Sequence, residues 1–281
     1  MKQNYKLVFT FLGITILMSA LFDFLIIHTG MMWSGLGLNL TGLMWSPGLA
    51  AIITSLLFKR DLNLIGWKWG KTRYQTGSVL VPLLYVTITY VIIWLVGWGG
   101  FPNPERLQKI TTSFGFEALP VWLTVLIYCI LAVIYCLPDA NALGEEIGWR
   151  GFLVPILFKE LGYTKTSFIV GIIWAVWHYP ILLYTDYNSN TPAWYGLTCF
   201  TVGVIATSFI STWFRIKSGN IWTATLIHAT HNLSIQLIFT PFTIVNEKTK
   251  YYIDEFGAVL PIVIVFFAIY FWTRRKELAY L

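Results

Sequence analysis

Ionisable side chains stand in the middle of apolar segments of this chain. The first group lies within residues 144–153, where two adjacent carboxylates, Glu145 and Glu146, precede Arg150. Charged side chains at membrane depth are costly, so they are rare and usually functional. Imidazole side chains follow downstream in other apolar segments. Carboxylates and imidazoles in such surroundings indicate chemistry inside a bilayer rather than packing.

The spacing of the first group predicts different roles for the two glutamates. Neighbouring residues on a helix point about 100° apart. Glu146 lies four residues before Arg150, in the orientation that favours an ion pair, so Arg150 is expected to neutralise and position Glu146. Glu145 is then the carboxylate that faces a partner or a water, and burial would make it a better base. The alternative is that both glutamates belong to one structural ion network.

Histidines in two later segments complete a set of candidate site residues. His178 follows Trp174 by one helical turn, whereas His228 and Asn232 are four residues apart and share a helix face. A donor pair one turn apart could bind a developing oxyanion. Glu145, His178 and His228 could also hold a divalent metal such as Zn²⁺, because imidazole is a common zinc ligand.

Other polar residues near these motifs are expected to have structural roles. His231 predicts helix packing or an interfacial position. Asp139 and Asn141 follow Pro138 and suit the start of a helix. The sequence contains neither the His-Glu-x-x-His motif of zinc proteases nor the Gly-x-Ser-x-Gly motif of serine hydrolases.

The composition is that of a polytopic membrane protein. Of its 281 residues, 57% are hydrophobic and 11% charged, against about 25% charged in average soluble chains, and the mean hydropathy is +0.67. Apolar segments occur throughout, so residues 1–281 are expected to form a single membrane domain. The net charge is +6. The basic residues lie in loops and at the C-terminus, which indicates the lipid bilayer as a partner and not nucleic acid.

A spanning helix needs about 20 mostly apolar residues. By this rule the sequence predicts an all-α protein with about eight transmembrane helices, near residues 7–28, 40–58, 77–97, 119–137, 164–184, 193–214, 219–239 and 257–273. The segment 119–161 is expected to cross the membrane once, with a break near Pro138. Basic residues at 2–6, 59–73 and 274–276 predict that both termini are cytoplasmic and that the protein is a multi-pass component of the cell membrane.

Together the three motifs resemble the CPBP family of intramembrane proteases, which includes CAAX prenyl endopeptidases of the Ras-converting type and bacterial relatives linked to bacteriocin processing and self-immunity. The family pattern is Glu-Glu-x-x-x-Arg, an aromatic-x-x-x-His and His-x-x-x-Asn or Asp, each on its own helix. Here the second motif has Trp174 where phenylalanine is usual. The match covers the chain from about residue 138 to residue 232.

The resemblance implies five catalytic positions and one supporting arginine: Glu145, Glu146, His178, His228, Asn232 and Arg150. Glu145 would activate a water for attack on a peptide carbonyl with help from His178, while His228 and Asn232 would stabilise the oxyanion. Both a metalloendopeptidase and a metal-free glutamate peptidase are consistent with the sequence. The implied substrate is a peptide or protein, either lipidated or membrane-bound.

Two other functions are also consistent with the sequence. A non-catalytic membrane scaffold or bacteriocin self-immunity protein could keep the motifs for binding. A transporter could use Glu145 and His178 as a proton relay, although the sequence contains no internal repeat that would support it.

Overall fold

The computed structural model describes residues 2–30, 37–136, 139–188 and 190–278, without the side chains of residues 2, 3, 135 and 136. Within these ranges the chain is all-helical, as predicted, and its extended structure is confined to an isolated bridge between Gly100 and Ile244. Cys129 and Cys199 are free thiols. The predicted break at Pro138 lies outside the described residues.

Ten α-helices and two π-helical segments follow one another along the described chain. They are α1 (Lys2–Thr29), α2 (Leu38–Leu57), α3 (Thr72–Val96), α4 (Pro104–Phe114), α5 (Val121–Cys136), α6 (Ala140–Glu146), π1 (Ile147–Leu153), α7 (Val154–Tyr184), α8 (Ala193–Ser218), α9 (Trp222–Asn232), π2 (Leu233–Phe239) and α10 (Val259–Thr273). Short 3₁₀ turns occur at Leu62–Ile65, Thr249–Tyr251 and Arg274–Leu278.

Five helical stretches of the described chain are long and apolar enough to cross a membrane. They are Asn4–Thr29, Leu38–Leu57, Thr72–Val96, Ala140–Tyr184 and Ala193–Ser218. The chain is therefore a multi-pass membrane protein. The count of eight spans stays a prediction, because α5 and α10 have 16 and 15 residues and fall below the length of about 20 residues that a full crossing needs.

A helix begins just after Gly162, close to the predicted start near residue 164. It is the second part of the helical stretch Ala140–Tyr184, which is interrupted at Gly162, whose φ is 71°. Glycine adopts this conformation readily because it has no Cβ. Residues 140–161 therefore form a helical arm of their own, which carries the Glu145 motif. The number of times that residues 119–161 cross the membrane stays a prediction.

Helix α4 was not predicted, because its polar sequence does not pass a test for long apolar segments. The side chain of Asn103 caps it by accepting hydrogen bonds from the backbone N–H groups of Glu105 and Arg106, and Pro104 occupies its first turn. Both features are recognised signals of a helix start. They were present in the sequence and would have located this helix.

The apolar core has two large parts, besides a small cluster of Ile26, Leu43 and Ile181. One part surrounds π1 and the adjoining ends of α1, α2 and α7. The other lies between α3, α8, α9 and α10. Helix α7 packs along α8, and α1 packs along α2. The segment α6–π1 is thereby enclosed on one side by α2 and on the other by α9.

Glycines allow α2 and the α6–π1 segment to approach closely. A Cβ added to Gly48 would lie 2.5 Å from the carbonyl oxygen of Gly144, and one added to Gly148 would lie 2.5 Å from Cβ of Pro47. Small residues serve this purpose at the helix interfaces of membrane proteins. The contact fixes how deeply the segment with Glu145 sits against α2.

Replacing Gly48 by alanine should therefore destabilise the protein. The added methyl group would collide with backbone, which cannot rotate away, and overpacking of this kind costs about 1–3 kcal/mol. The unfolding midpoint in detergent measures the effect. Gly13→Ala is the matched control, because a Cβ at Gly13 in α1 meets nothing within 4 Å. Equal midpoints for the two variants would contradict the close-packing argument.

Candidate active site

The two glutamates of the first motif lie at the end of the short helix α6, whose start is capped. The carboxylate of Asp139 accepts a hydrogen bond from the backbone N–H of Asn141 at 2.8 Å, as expected for the N-cap of α6. The helix then widens into π1, which starts immediately after Glu146. π-Helical segments are rare and occur frequently at functional sites. This local geometry brings the motif into the interior, where its charged side chains are buried.

Glu146 is held by two donors from two different helical segments. Nη1 of Arg150 lies 2.8 Å from Oε1 of Glu146, and both side chains are fully buried, so the predicted ion pair is present. Nδ1 of His228 lies 3.2 Å from the same oxygen. A carboxylate oxygen only accepts hydrogen bonds, so this histidine nitrogen carries the proton. Glu146 therefore joins the first motif to α9.

Trp174 contacts four other residues of the site. Its indole Nε1 donates to Oε2 of Glu145 at 2.7 Å, and its backbone carbonyl lies 2.8 Å from Nδ1 of His178. The guanidinium carbon of Arg150 lies 4.1 Å from the centroid of its ring. The ring of His228 meets it edge-on at 5.4 Å. One aromatic residue thus orients Glu145 and His178 and covers Arg150.

The tautomer of His178 follows from its partner. A backbone carbonyl only accepts, so Nδ1 carries a proton and donates it to Trp174, which leaves Nε2 as the acceptor of the neutral ring. The imidazole meets the rings of Trp177 and Phe200 edge-on, with centroids 4.6 and 5.1 Å away. These contacts hold the ring in one orientation.

A cavity of 460 Å³ connects the candidate residues. Four of the predicted site residues line it, namely Glu145, His178, His228 and Asn232. Most of the other lining residues are apolar and come from α2, α7, α8 and α10, as is typical of ligand pockets. Glu146 and Arg150 are not part of the lining, and they support the site from behind.

The side chains at the cavity do not fit a metal ion as they are placed. Among the described residues, no three His, Cys, Asp or Glu side chains are grouped so that they could hold one. Oε2 of Glu145 and Nδ1 of His178 and His228 have protein partners instead. The use of a divalent metal by Glu145, His178 and His228 stays a prediction.

A second polar cluster lines the same cavity and was missed by the sequence reasoning. Nε2 of His231 lies 3.2 Å from Oε1 of Glu255, and the hydroxyl of Tyr187 donates to Oε2 of Glu255 at 3.0 Å. All three residues belong to the cavity wall, so His231 does more than pack. Glu255 lies in a connecting segment, where an acidic residue is ordinary, and the sequence gives no signal that it is part of the site.

Comparison with known proteins relates the central part of the chain to one family. Residues 117–234 match the model of the type II CAAX prenyl endopeptidase Rce1-like family. Over 169 residues the chain is 27% identical to a protein of Methanococcus maripaludis named CAAX prenyl protease 2. That similarity covers 58% of this chain and 57% of the relative, so the chain matches little more than half of the relative's length. The family match contains all six predicted site residues and ends before Glu255.

Removing Arg150 should destabilise the protein and not only its site. Arg150→Ala would leave the buried carboxylate of Glu146 without its cation, and breaking a buried pair costs about 3–5 kcal/mol. The yield of folded protein and the unfolding midpoint in detergent measure the loss. The control is Lys217→Ala, because Lys217 pairs with Glu277 at 3.5 Å in a partly exposed position, where a pair contributes about 0–1 kcal/mol. An Arg150→Ala protein as stable as Lys217→Ala would refute the structural role.

Proposed function

We propose that this chain, whose residues 117–234 match the model of the Rce1-like family, is an intramembrane endopeptidase. The observation that carries the proposal is the cavity, whose wall holds a carboxylate, two imidazoles and a carboxamide from α6, α7 and α9: Glu145, His178, His228 and Asn232. Hydrolysis of an amide needs a base for water, donors for the oxyanion and a proton for the leaving nitrogen. The four side chains offer all three.

Glu145 is the proposed base. Its Oε2 accepts the indole N–H of Trp174, which orients the carboxylate and leaves Oε1 to take a proton from water. Nε2 of His178 is the acceptor that holds the same water, because Nδ1 is engaged with a backbone carbonyl. The water oxygen attacks the peptide carbonyl carbon while its proton passes to Glu145. Glu145 then gives this proton to the leaving amine, so that the carboxylate is regenerated.

His228 and Asn232 are the proposed oxyanion donors. The carboxamide of Asn232 donates through its NH₂ group. His228 binds Glu146 through Nδ1, so it donates to the oxyanion through Nε2 when the ring carries both protons. Such donors stabilise charge that develops only in the transition state, and their loss should lower kcat.

The apolar lining suggests the class of substrate. Leucine, isoleucine and phenylalanine side chains beside the polar wall suit a peptide segment with apolar side chains or an attached lipid. We therefore propose a membrane-bound or lipidated peptide or protein as the substrate. Both termini and the basic segment 59–73 face the cytoplasm in this proposal, in keeping with the positive-inside rule.

Glu145→Gln should abolish peptide cleavage while leaving the fold intact. The glutamine carbonyl can still accept the indole N–H of Trp174, but it cannot take a proton from water, and general base catalysis contributes about 10²–10⁴-fold. Purified protein in detergent is assayed on membrane-peptide substrates. Glu247→Gln, an exposed change outside the cavity, is the matched control. Equal cleavage by wild type and Glu145→Gln would support a non-catalytic scaffold instead.

The same assay with a chelator distinguishes the two mechanisms. Cleavage that survives the chelator in protein without bound metal supports the metal-free route described above. Cleavage that is lost with the chelator and restored by Zn²⁺ would overturn that route in favour of a metalloendopeptidase, and the ligand set of Glu145, His178 and His228 would then be tested by metal binding.

Trp174→Phe should lower kcat while preserving the aromatic packing. The phenyl ring keeps most of the contact area but loses the N–H that orients Glu145. A hydrogen bond to a charged group is worth about 1.5–3 kcal/mol, so a loss of about 10- to 100-fold is expected. The control is Trp272→Phe. The N–H of Trp272 donates to Thr164 at an exposed position, so this variant should cleave the substrate at the wild-type rate. An unchanged kcat for Trp174→Phe would show that this bond does not orient the base.

A further inference from the structure

The polar cluster around Glu255 forms a continuous network that has no role in the chemistry proposed above. Nε2 of His231 and the hydroxyl of Tyr187 bind the two oxygens of Glu255. The side-chain amide of Gln236 donates to the hydroxyl of Tyr187 at 3.2 Å. On the other side, the hydroxyl of Tyr85 lies 2.8 Å from Nδ1 of His231. Together these five residues form the Glu255 network.

The direction of each hydrogen bond follows from the carboxylate. Because Glu255 only accepts, Nε2 of His231 and the hydroxyl of Tyr187 are donors. In the neutral ring, Nδ1 of His231 is then an acceptor, and the Tyr85 hydroxyl donates a hydrogen bond to it. Both ring nitrogens of His231 are thereby engaged, which fixes the rotation of its imidazole.

The network holds the chain at a point that matters for the proposed oxyanion site. His231 directly precedes Asn232, which is the last residue of α9 and is followed by π2. π-Helical turns are rare and depart from the usual α-helical hydrogen bonds, so side-chain contacts help to define where this turn lies. The network ties it to α3, to the connection between α7 and α8, and to the segment before α10.

We propose that Glu255 is a positioning residue, which acts through His231 to place Asn232 for the oxyanion. The inference rests on the proposed function. Each carboxylate oxygen of Glu255 already has a protein donor, and only 13% of the side chain is exposed. The contacts of Glu255 are thus directed at the protein, which favours positioning over binding of the substrate.

Glu255→Gln tests the proposal directly. The glutamine NH₂ group cannot accept, so one of the two donors, His231 or Tyr187, loses its partner. We expect kcat to fall about tenfold with KM changed less than about twofold, because Asn232 acts in the transition state and not in substrate binding. Glu247→Gln, the same change at an exposed site in the same connecting segment, should keep both constants. A raised KM with unchanged kcat would overturn the proposal in favour of substrate contact by Glu255.

A double-mutant cycle shows whether Glu255 acts through Asn232. Asn232→Ala alone should lower kcat by about 10²-fold, as expected for an oxyanion donor. If the two residues act as one unit, adding Glu255→Gln to Asn232→Ala should have no further effect. A full tenfold decrease in the Asn232→Ala background would show that Glu255 acts independently and would refute the proposal.

Hydrogen–deuterium exchange separates this inference from the proposed function, because it needs no substrate. Residues 229–236 should exchange faster in Glu255→Gln than in wild type and in Glu247→Gln. Unchanged exchange would overturn the positioning role even if the enzyme assay succeeds. Tyr187→Phe, which removes one donor and keeps the carboxylate, replaces Glu255→Gln in this experiment if Glu255→Gln does not fold. Residues 229–236 should then exchange faster than in wild type, by a smaller factor. Exchange at the wild-type rate would count against the proposal.

Discussion

The buried ion pair between Glu146 and Arg150 is the interaction on which the site depends. Both side chains are fully buried, and a charge in such surroundings persists only when it is paired and hydrogen-bonded. The pair also recruits its neighbours. His228 donates to the carboxylate, and the ring of Trp174 covers the guanidinium. Helices α7 and α9 must therefore approach π1 at fixed distances, and Glu145 takes its position from the same assembly.

Close packing of helices stabilises the buried ion pair in a bilayer. Lipid chains are as apolar as the helix faces, so helices associate in a membrane through packing and polar contacts rather than through the hydrophobic effect. The contact between Gly48 and Gly144 is an example of the packing, and the contacts around Glu146 are the polar contacts. The residues proposed for catalysis are thus joined to residues that hold the helices together, and the two functions share one set of contacts.

Local signals in the sequence were sufficient for the Glu146–Arg150 pair, the helical fold and the helix start at Asp139, because each involves residues within a few positions or an average over a segment. Contacts between residues far apart in the chain could not be predicted from the sequence. The hydrogen bond from Trp174 to Glu145 joins residues 29 apart, and that from Tyr85 to His231 joins residues 146 apart.

Helix α9 is anchored to a carboxylate at two points one turn apart. His228 binds Glu146, and His231 binds Glu255. Residues three positions apart project about 60° from each other around a helix axis. Of the two carboxylates, Glu146 precedes α9 in the sequence and Glu255 follows it. The two bonds together define the rotation of the helix, and the side chain of Asn232, one residue beyond the second anchor, is placed by both.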